Sequence, residues 1–372
     1  MLILGGTGNT GRKIAELLLR HTDVKLLLAS RNVEKLSAIT QSLQDKYSPD
    51  RVDWVQVNAS DPASLKIALT GINFLISAAS TAKFTKLVAR ACLDSSCDYL
   101  DVQYSQSKVK ILRSMADEIE SKGRCFISDA GFHPGLPAAL VRYGAYFFDQ
   151  METAIVGSAI NQDWRNLDLS PSTQREFVRE MMNYQSLFYR NGTWQKASLW
   201  TTKDFIKMDY GDKFKRRLCA PMFFEEMRIL PEAYPSLDRT GFYISGFGWF
   251  TDMIIIPIVM LSLKLFPRPA EIPMSKLVLW SLEQFSKPPY GVVMKLEASG
   301  YKGNRPEMVN VRLFHKDGYW FTAIPVAACL LQYLQGAICK PGLHLMGNLV
   351  NPTRLVNDMK MMGIRITENS RE

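Results

Sequence analysis

Over the first 130 residues, apolar positions fall in short runs separated by stretches of helical periodicity. The runs are Met1–Leu4, Val24–Ala29, Val52–Val57, Phe74–Ser77, Tyr99–Val102 and Arg124–Ser128. Between them Arg12–Arg20, Val33–Leu43, Pro62–Leu69, Phe84–Leu93 and Lys108–Ser121 read as helices. Strand and helix alternating in this way predict an α/β, Rossmann-type doubly wound parallel sheet with helices on both faces. After His133-Pro134-Gly135 the rhythm changes. Leu136–Phe148 predicts a helix and Thr153–Ile160 a strand, and Gly291–Ser299, Met308–His315 and Tyr319–Phe321 alternate like antiparallel strands. Turn chemistry separates these strands at Tyr301–Pro306 and Lys316-Asp317-Gly318. Thr322–Leu334 then reads as a helix ending near Gly336, and Pro352–Ile366 as a helix with a short strand. The expected organisation is a Rossmann domain over 1–135, a second mixed α+β domain for substrate or dimerisation over 136–325, and carboxyl-terminal helices over 326–372 that return to the first domain.

Trp249–Phe266 is almost wholly apolar, interrupted by Thr251, Asp252, Pro257 and Lys264. Its clean core is roughly half the ~20 residues that a spanning helix requires. Three covers suit it: the protein's own core, a second copy in a homodimer, or a lipid surface in peripheral contact. The net charge of +9 bears on this choice. The densest basic cluster, Lys213, Lys215, Arg216 and Arg217, is short and not interleaved with aromatics, so nucleic acid is a poor partner and an anionic surface a better one. The expectation is salt-sensitive binding to anionic liposomes, weakened when Ile255 and Ile258 both become Ser.

The six cysteines are scattered without a Cys-x-x-Cys, and no histidines pair at ligand spacing. No metal site is expected, and reduced thiols point to the cytoplasm. Met1-Leu2-Ile3-Leu4 has no basic leader and runs straight into glycines, so it reads as the opening strand and not as a signal peptide.

The chemistry begins at that strand's end. Gly5-Gly6-Thr7-Gly8-Asn9-Thr10-Gly11 follows a strand, opens a helix, and satisfies Gly-x-Gly-x-x-Gly from Gly6. Glycines let the backbone turn tightly against a pyrophosphate, which then faces the helix amides. A site that prefers NAD usually closes its second strand with Asp or Glu, which holds the ribose hydroxyls. Here that strand ends Ala29-Ser30-Arg31-Asn32, offering a hydroxyl and a guanidinium suited to a 2′-phosphate. NADP is the expected cofactor. Asn58 and Asp61 close the third strand, where the adenine half rests, with Asp61 equally placed to cap the helix from Pro62. Ala78 and Ala79 close the fourth, where small residues let the nicotinamide half pass.

Several of these segments resemble the saccharopine dehydrogenase-like oxidoreductases. They are Gly5–Gly11, Ala29-Ser30-Arg31-Asn32 with Lys35-Leu36, Asp61-Pro62-Ala63-Ser64-Leu65, Tyr99-Leu100-Asp101, and Ala130-Gly131-Phe132-His133-Pro134-Gly135-Leu136-Pro137. The Gly-x-Thr-Gly-x-Thr-Gly form is closer to the lipid-associated branch with the trans-acting enoyl reductases than to the lysine-pathway enzymes. The likeness extends to Tyr319–Gly336 and to Gly363-Ile364-Arg365-Ile366, and is weakest over 162–289. Two departures alter the family's acidic pair: Tyr104 and Ser105 stand for its Gly and Glu, and His133 for its Asp.

For a proton donor, His133 follows a strand end, and imidazole is matched to proton transfer near neutral pH. Tyr99 with Asp101 is the other candidate, Tyr to protonate and Asp to orient. The reading is an NADP(H)-dependent oxidoreductase, with the cofactor in the first domain and the substrate between the two. The resemblance implies a hydride moved to or from a C=C or C=N bond of a hydrophobic small molecule. The alternatives are a non-catalytic NADP sensor of the NmrA-like kind, or an imine-reducing opine- or polyamine-type enzyme.

Overall fold

A computed structural model describes residues 1–167, 169, 171–198 and 201–371. The chain divides into two compact units, 1–139 with 319–362, and 140–318 with 363–372.

The first unit is built on β1 (Leu2–Leu4), β2 (Leu26–Ser30), β3 (Val52–Gln56), β4 (Phe74–Ser77), β5 (Asp98–Asp101) and β6 (Cys125–Ser128). These pair in the order β6-β5-β4-β1-β2-β3, and Gly342–Leu345, which sequence patterning misses, adds a seventh strand beside β6. All of them run parallel. Strands covered on both faces read as continuous apolar runs, as Leu2-Ile3-Leu4 and Phe74-Leu75-Ile76 do. The order reverses between β1 and β4, and that reversal opens a crevice at the carboxyl ends of the strands.

Helices α1 (Asn9–His21), α2 (Val33–Lys46), α3 (Pro62–Ala68), α4 (Thr85–Asp94) and α5 (Gln106–Arg113) follow the strands in turn. Caps set their starts. Asn32 accepts from the Lys35 amide at 2.7 Å, and Asp61 accepts from that of Ala63 at 3.0 Å. The single helix expected over Lys108–Ser121 is two, α5 and Ala116–Ser121. The Ser114 hydroxyl donates back to the Ile111 carbonyl at 2.7 Å while Met115 turns inward, ending the first helix.

The second unit is a nine-stranded mixed sheet. Its central strand, Gln150–Asn161, runs parallel to Arg239–Ser245 and antiparallel to Gly291–Lys302. Tyr319–Phe321, expected as a strand, is the first turn of the helix Gly318–Leu334. Phe321, Ile324 and Ala328 lie on one buried stripe at i, i+3 and i+7, a helical period that a three-residue window cannot show. The carboxyl end is divided where a single return was expected. Pro352–Met361 packs with the first unit, the chain turns at Gly363 with φ 108°, and Arg365–Arg371 pairs with Arg305–His315 in the second sheet.

Candidate functional site: a dinucleotide cradle

Because the strands of the first sheet are parallel, the segments after β1 to β6 all emerge at one edge. The glycine loop after β1 lies at the crevice. Gly5 adopts φ +89°, and a Cβ there would meet the Ala79 Cβ at 2.8 Å. A Cβ on Gly11 would stand 2.3 Å from the Gly5 carbonyl oxygen. The loop therefore closes on Ala78 and Ala79 as only glycine allows. The amides of Gly5 and Gly6 both donate to the Ala29 carbonyl, at 2.7 and 3.2 Å. Gly8, exposed, caps α1, whose first turn holds no acidic residue. The turn through Gly6, Thr7 and Gly8 into Asn9 and Thr10 thus leads to a positive helix terminus fit for a diphosphate.

Thr7 ties this loop to β2, its hydroxyl donating to that of Ser30 at 2.9 Å. Beyond Ser30, the exposed Arg31 lines an open pocket with Gln56, Val57, Asn58 and Ser64. The Gln56 side chain braces the Arg31 carbonyl at 3.1 Å. Asn58 shapes its own turn, accepting from the Ser60 hydroxyl at 2.8 Å. The pocket holds a guanidinium and no carboxylate, which suits a phosphate. Asp61 is exposed and serves as the cap of α3, the role left open beside cofactor contact.

A second cluster lies at the ends of β5 and β6. Lys108, on α5, is fully buried and pairs with Asp101 and with Asp129, the latter at 2.7 Å. Ser128 donates to Asp101 at 2.9 Å, and the Asp129 amide does so at 3.3 Å. Burial works to lower the Lys108 pKa, but the two carboxylates outweigh it and hold the pKa above its ordinary value. Asp129 sits at φ 57°, a left-handed conformation that costs a non-glycine residue free energy. The loop it begins, 129–135, carries His133.

This geometry corrects both acid assignments. Tyr99 is 1% exposed and packs in the apolar core beside Phe126, where no substrate reaches it. Burial, then the neighbouring Asp101, raise its pKa well above the ordinary tyrosine value. Asp101 is the counterion of Lys108 and is itself buried. The His133 ring lies tilted against Phe132, centroids 3.7 Å apart, and burial lowers its pKa to about 4. At neutral pH it is an uncharged imidazole, not a charged acid.

Residues 1–126 match the model of the saccharopine dehydrogenase NADP-binding domain. The first domain is thus similar to that family's NADP-binding domain. A probable mitochondrial saccharopine dehydrogenase-like oxidoreductase of Arabidopsis thaliana is 29% identical over 153 residues, 38% of this chain and 33% of the relative. The match thus spans about a third of that relative's length. Apo saccharopine dehydrogenase (L-Glu forming) from Saccharomyces cerevisiae shares the fold, with a TM-score of 0.71 at 13% identity over 100% of this chain and 99% of that one. The cofactor of the domain is NADP, as the Ser30-Arg31 pair implies.

In the saccharopine dehydrogenase-type domain, the sequence signalled the glycine cradle, Ser30 and Arg31, and missed its braces. Gln56 alternates outward at a strand end like any solvated residue. Gln103 donates to the Ser77 hydroxyl at 3.3 Å and to Ala79, joining the ends of β4 and β5. Lys108 carries no signal in its residue type, because a lone lysine early in a helix ordinarily faces water. Its signal was its phase: it precedes Val109 and Leu112 on the buried side of α5. Among the described residues no group of three or more His, Cys, Asp or Glu could hold a metal, and no helix is long and apolar enough to cross a membrane.

Proposed function

We propose that the protein is an NADP(H)-dependent oxidoreductase that moves a hydride to or from a C=C or C=N bond of a hydrophobic small molecule. One observation carries this reading: a glycine loop whose close approach excludes side chains, at the switch point of a parallel sheet, beside an Arg31 pocket without a carboxylate. The bound cofactor supplies the hydride. The chain's residues do the rest. The loop amides and the start of α1 hold the diphosphate, and Ser30 and Arg31 hold the 2′-phosphate. Ala78 and Ala79 leave room for the nicotinamide half, and the Asp101–Lys108–Asp129 network fixes the loop 129–135. His133 acts as a neutral N–H donor that polarises the reacting bond, a role open to an imidazole whose pKa has been lowered. Water then delivers the proton.

NADPH oxidation measured against apolar enones and against imines formed from 2-oxo acids with amines tests this. His133→Ala is expected to lower kcat by about a hundredfold, the worth of one polarising donor, and His133→Gln to keep most of the rate. Turnover should be flat between pH 6 and 8, because the imidazole stays neutral there. A rate that climbs as pH falls toward 4, lost in His133→Gln, would make His133 a charged acid instead. No NADPH oxidation with either class would favour the sensor reading, to which the altered acidic pair at Tyr104, Ser105 and His133 also points. In the second unit, a pocket lined by Tyr210, Asp212, Lys213, Arg312, Phe314 and Arg365 gathers three cations and one carboxylate. Preference for the 2-oxo acid imines would support the imine-reducing alternative.

A further inference from the structure

The apolar segment forms a hairpin of two helices, Ile256–Leu265 and Glu271–Phe285, entered through a wider turn at Thr251–Ile255. The first helix is apolar on opposite faces, and only one is covered. Ile255, Val259 and Leu263 pack against Val178, Ala270, Val278 and Leu282. On the outer face, Ile254, Ile258, Leu261 and Leu265 follow at i, i+4, i+7 and i+11, with exposures from 38% to 60%. Ile272 at 52% and Trp280 at 45% carry the apolar surface onto the second helix, and Trp249 stands 74% exposed at the entrance. Soluble surfaces scatter such residues singly; a stripe of them on one helix face marks a contact.

The charges around the hairpin say with what. Over residues 249–290 the exposed charged side chains are Lys264, Arg268, Lys276 and Lys287, all cations. The acids of the segment are withdrawn. Asp252 accepts from the Phe247 and Gly248 amides at 3.0 and 3.1 Å, Glu271 pairs with Arg179, and Glu283 is half-buried. A second copy meeting this face about a twofold axis would bring four exposed cations toward four exposed cations, with only half-buried acids to offset them. An anionic lipid surface supplies the counter-charge. It also receives tryptophan at its boundary, and accommodates a helix too short to span.

We propose that this hairpin rests on the surface of an anionic bilayer, with Ile258 and Leu261 entering the headgroup–acyl boundary and Lys264, Arg268, Lys276 and Lys287 against the headgroups. Binding is reversible and is carried by apolar insertion and charge together. It stands independently of the cofactor reading.

The full-length protein is floated with vesicles of phosphatidylcholine containing phosphatidylserine and with vesicles of phosphatidylcholine alone. The expected result is capture by the anionic vesicles, about tenfold or more weaker on phosphatidylcholine alone, and falling as salt rises from about 0.1 to 0.5 M. Ile258→Ser with Leu261→Ser is expected to weaken capture by about tenfold or more, with the thermal midpoint unchanged because both side chains are exposed. Lys264→Gln with Arg268→Gln should weaken it at low salt and have little effect at high salt. Ile255 is unsuited to this test, contrary to its sequence expectation, because at 4% exposure its replacement disturbs the core. Capture that ignores phosphatidylserine, or that persists unchanged in the Ile258/Leu261 variant, overturns the proposal. So does a dimer in sedimentation velocity that the same variant disperses while no vesicle is bound, which would assign the face to a second copy.

Discussion

Replacing Lys108 by Met is expected to cost the first unit about 3–5 kcal/mol, the range for removing one partner of a buried ion pair. Two carboxylates, Asp101 and Asp129, would remain in a dry site with no cation between them. Side-chain volume is nearly kept, so the loss reports charge and not a cavity. Adding Asp129→Asn relieves one stranded charge, and the double variant should recover a measurable part of the loss, a coupling characteristic of groups in contact. Urea unfolding followed by far-ultraviolet circular dichroism reads both. A cost under about 1 kcal/mol would match an exposed pair, and would mean that the buried network does not form.

Gly11→Ala is expected to weaken NADPH binding by at least about a hundredfold. The new Cβ would stand 2.3 Å from the Gly5 carbonyl oxygen, and that atom belongs to backbone that cannot rotate away. Either the loop or the start of α1 must shift, and the amides then lose their aim at the diphosphate. Two or three such hydrogen bonds to a charged group, at about 1.5 kcal/mol or more each, account for the loss. The protein should remain folded, since alanine is a good helix former at this position. Calorimetric titration of a folded variant that binds NADPH as tightly as the parent would show that the phosphates lie elsewhere.

The part of the fold that could be read from sequence was the part where one residue pattern admits one structure. Continuous apolar runs such as Phe74-Leu75-Ile76 alternating with amphipathic helices leave little choice but a covered parallel sheet. The glycines from Gly5 to Gly11 announce backbone proximity directly, because no other residue fits. Gly342–Leu345 was hidden, a four-residue strand 214 positions beyond β6, whose neighbour in space no local pattern reveals. Tyr319–Phe321 failed for a related reason: three residues cannot distinguish a period of 2 from one of 3.6.

The site divided along the same line. Ser30 and Arg31 were legible because the absence of an acid at the end of β2 has one chemical meaning. Tyr99, Asp101 and His133 were legible as strand-end residues, yet their roles depended on burial, which residue type does not give. Tyr99 has a hydroxyl that could donate a proton and a ring that prefers a core, and the core took it. Lys108 was the converse, a residue whose type predicts water and whose two carboxylate partners lie 7 positions before it and 21 after it.

The central claim is that the Ser30–Arg31 pocket selects a 2′-phosphate, and the affinity of one protein preparation for NADPH and for NADH tests it most directly. The account predicts tighter binding of NADPH, and a loss of about 1–3 kcal/mol for NADPH in Arg31→Ala, the range for hydrogen bonds to a charged group. NADH affinity should be nearly unchanged by that substitution. Equal affinity for the two cofactors in the parent protein, or an Arg31→Ala variant that still prefers NADPH to the same degree, would contradict it.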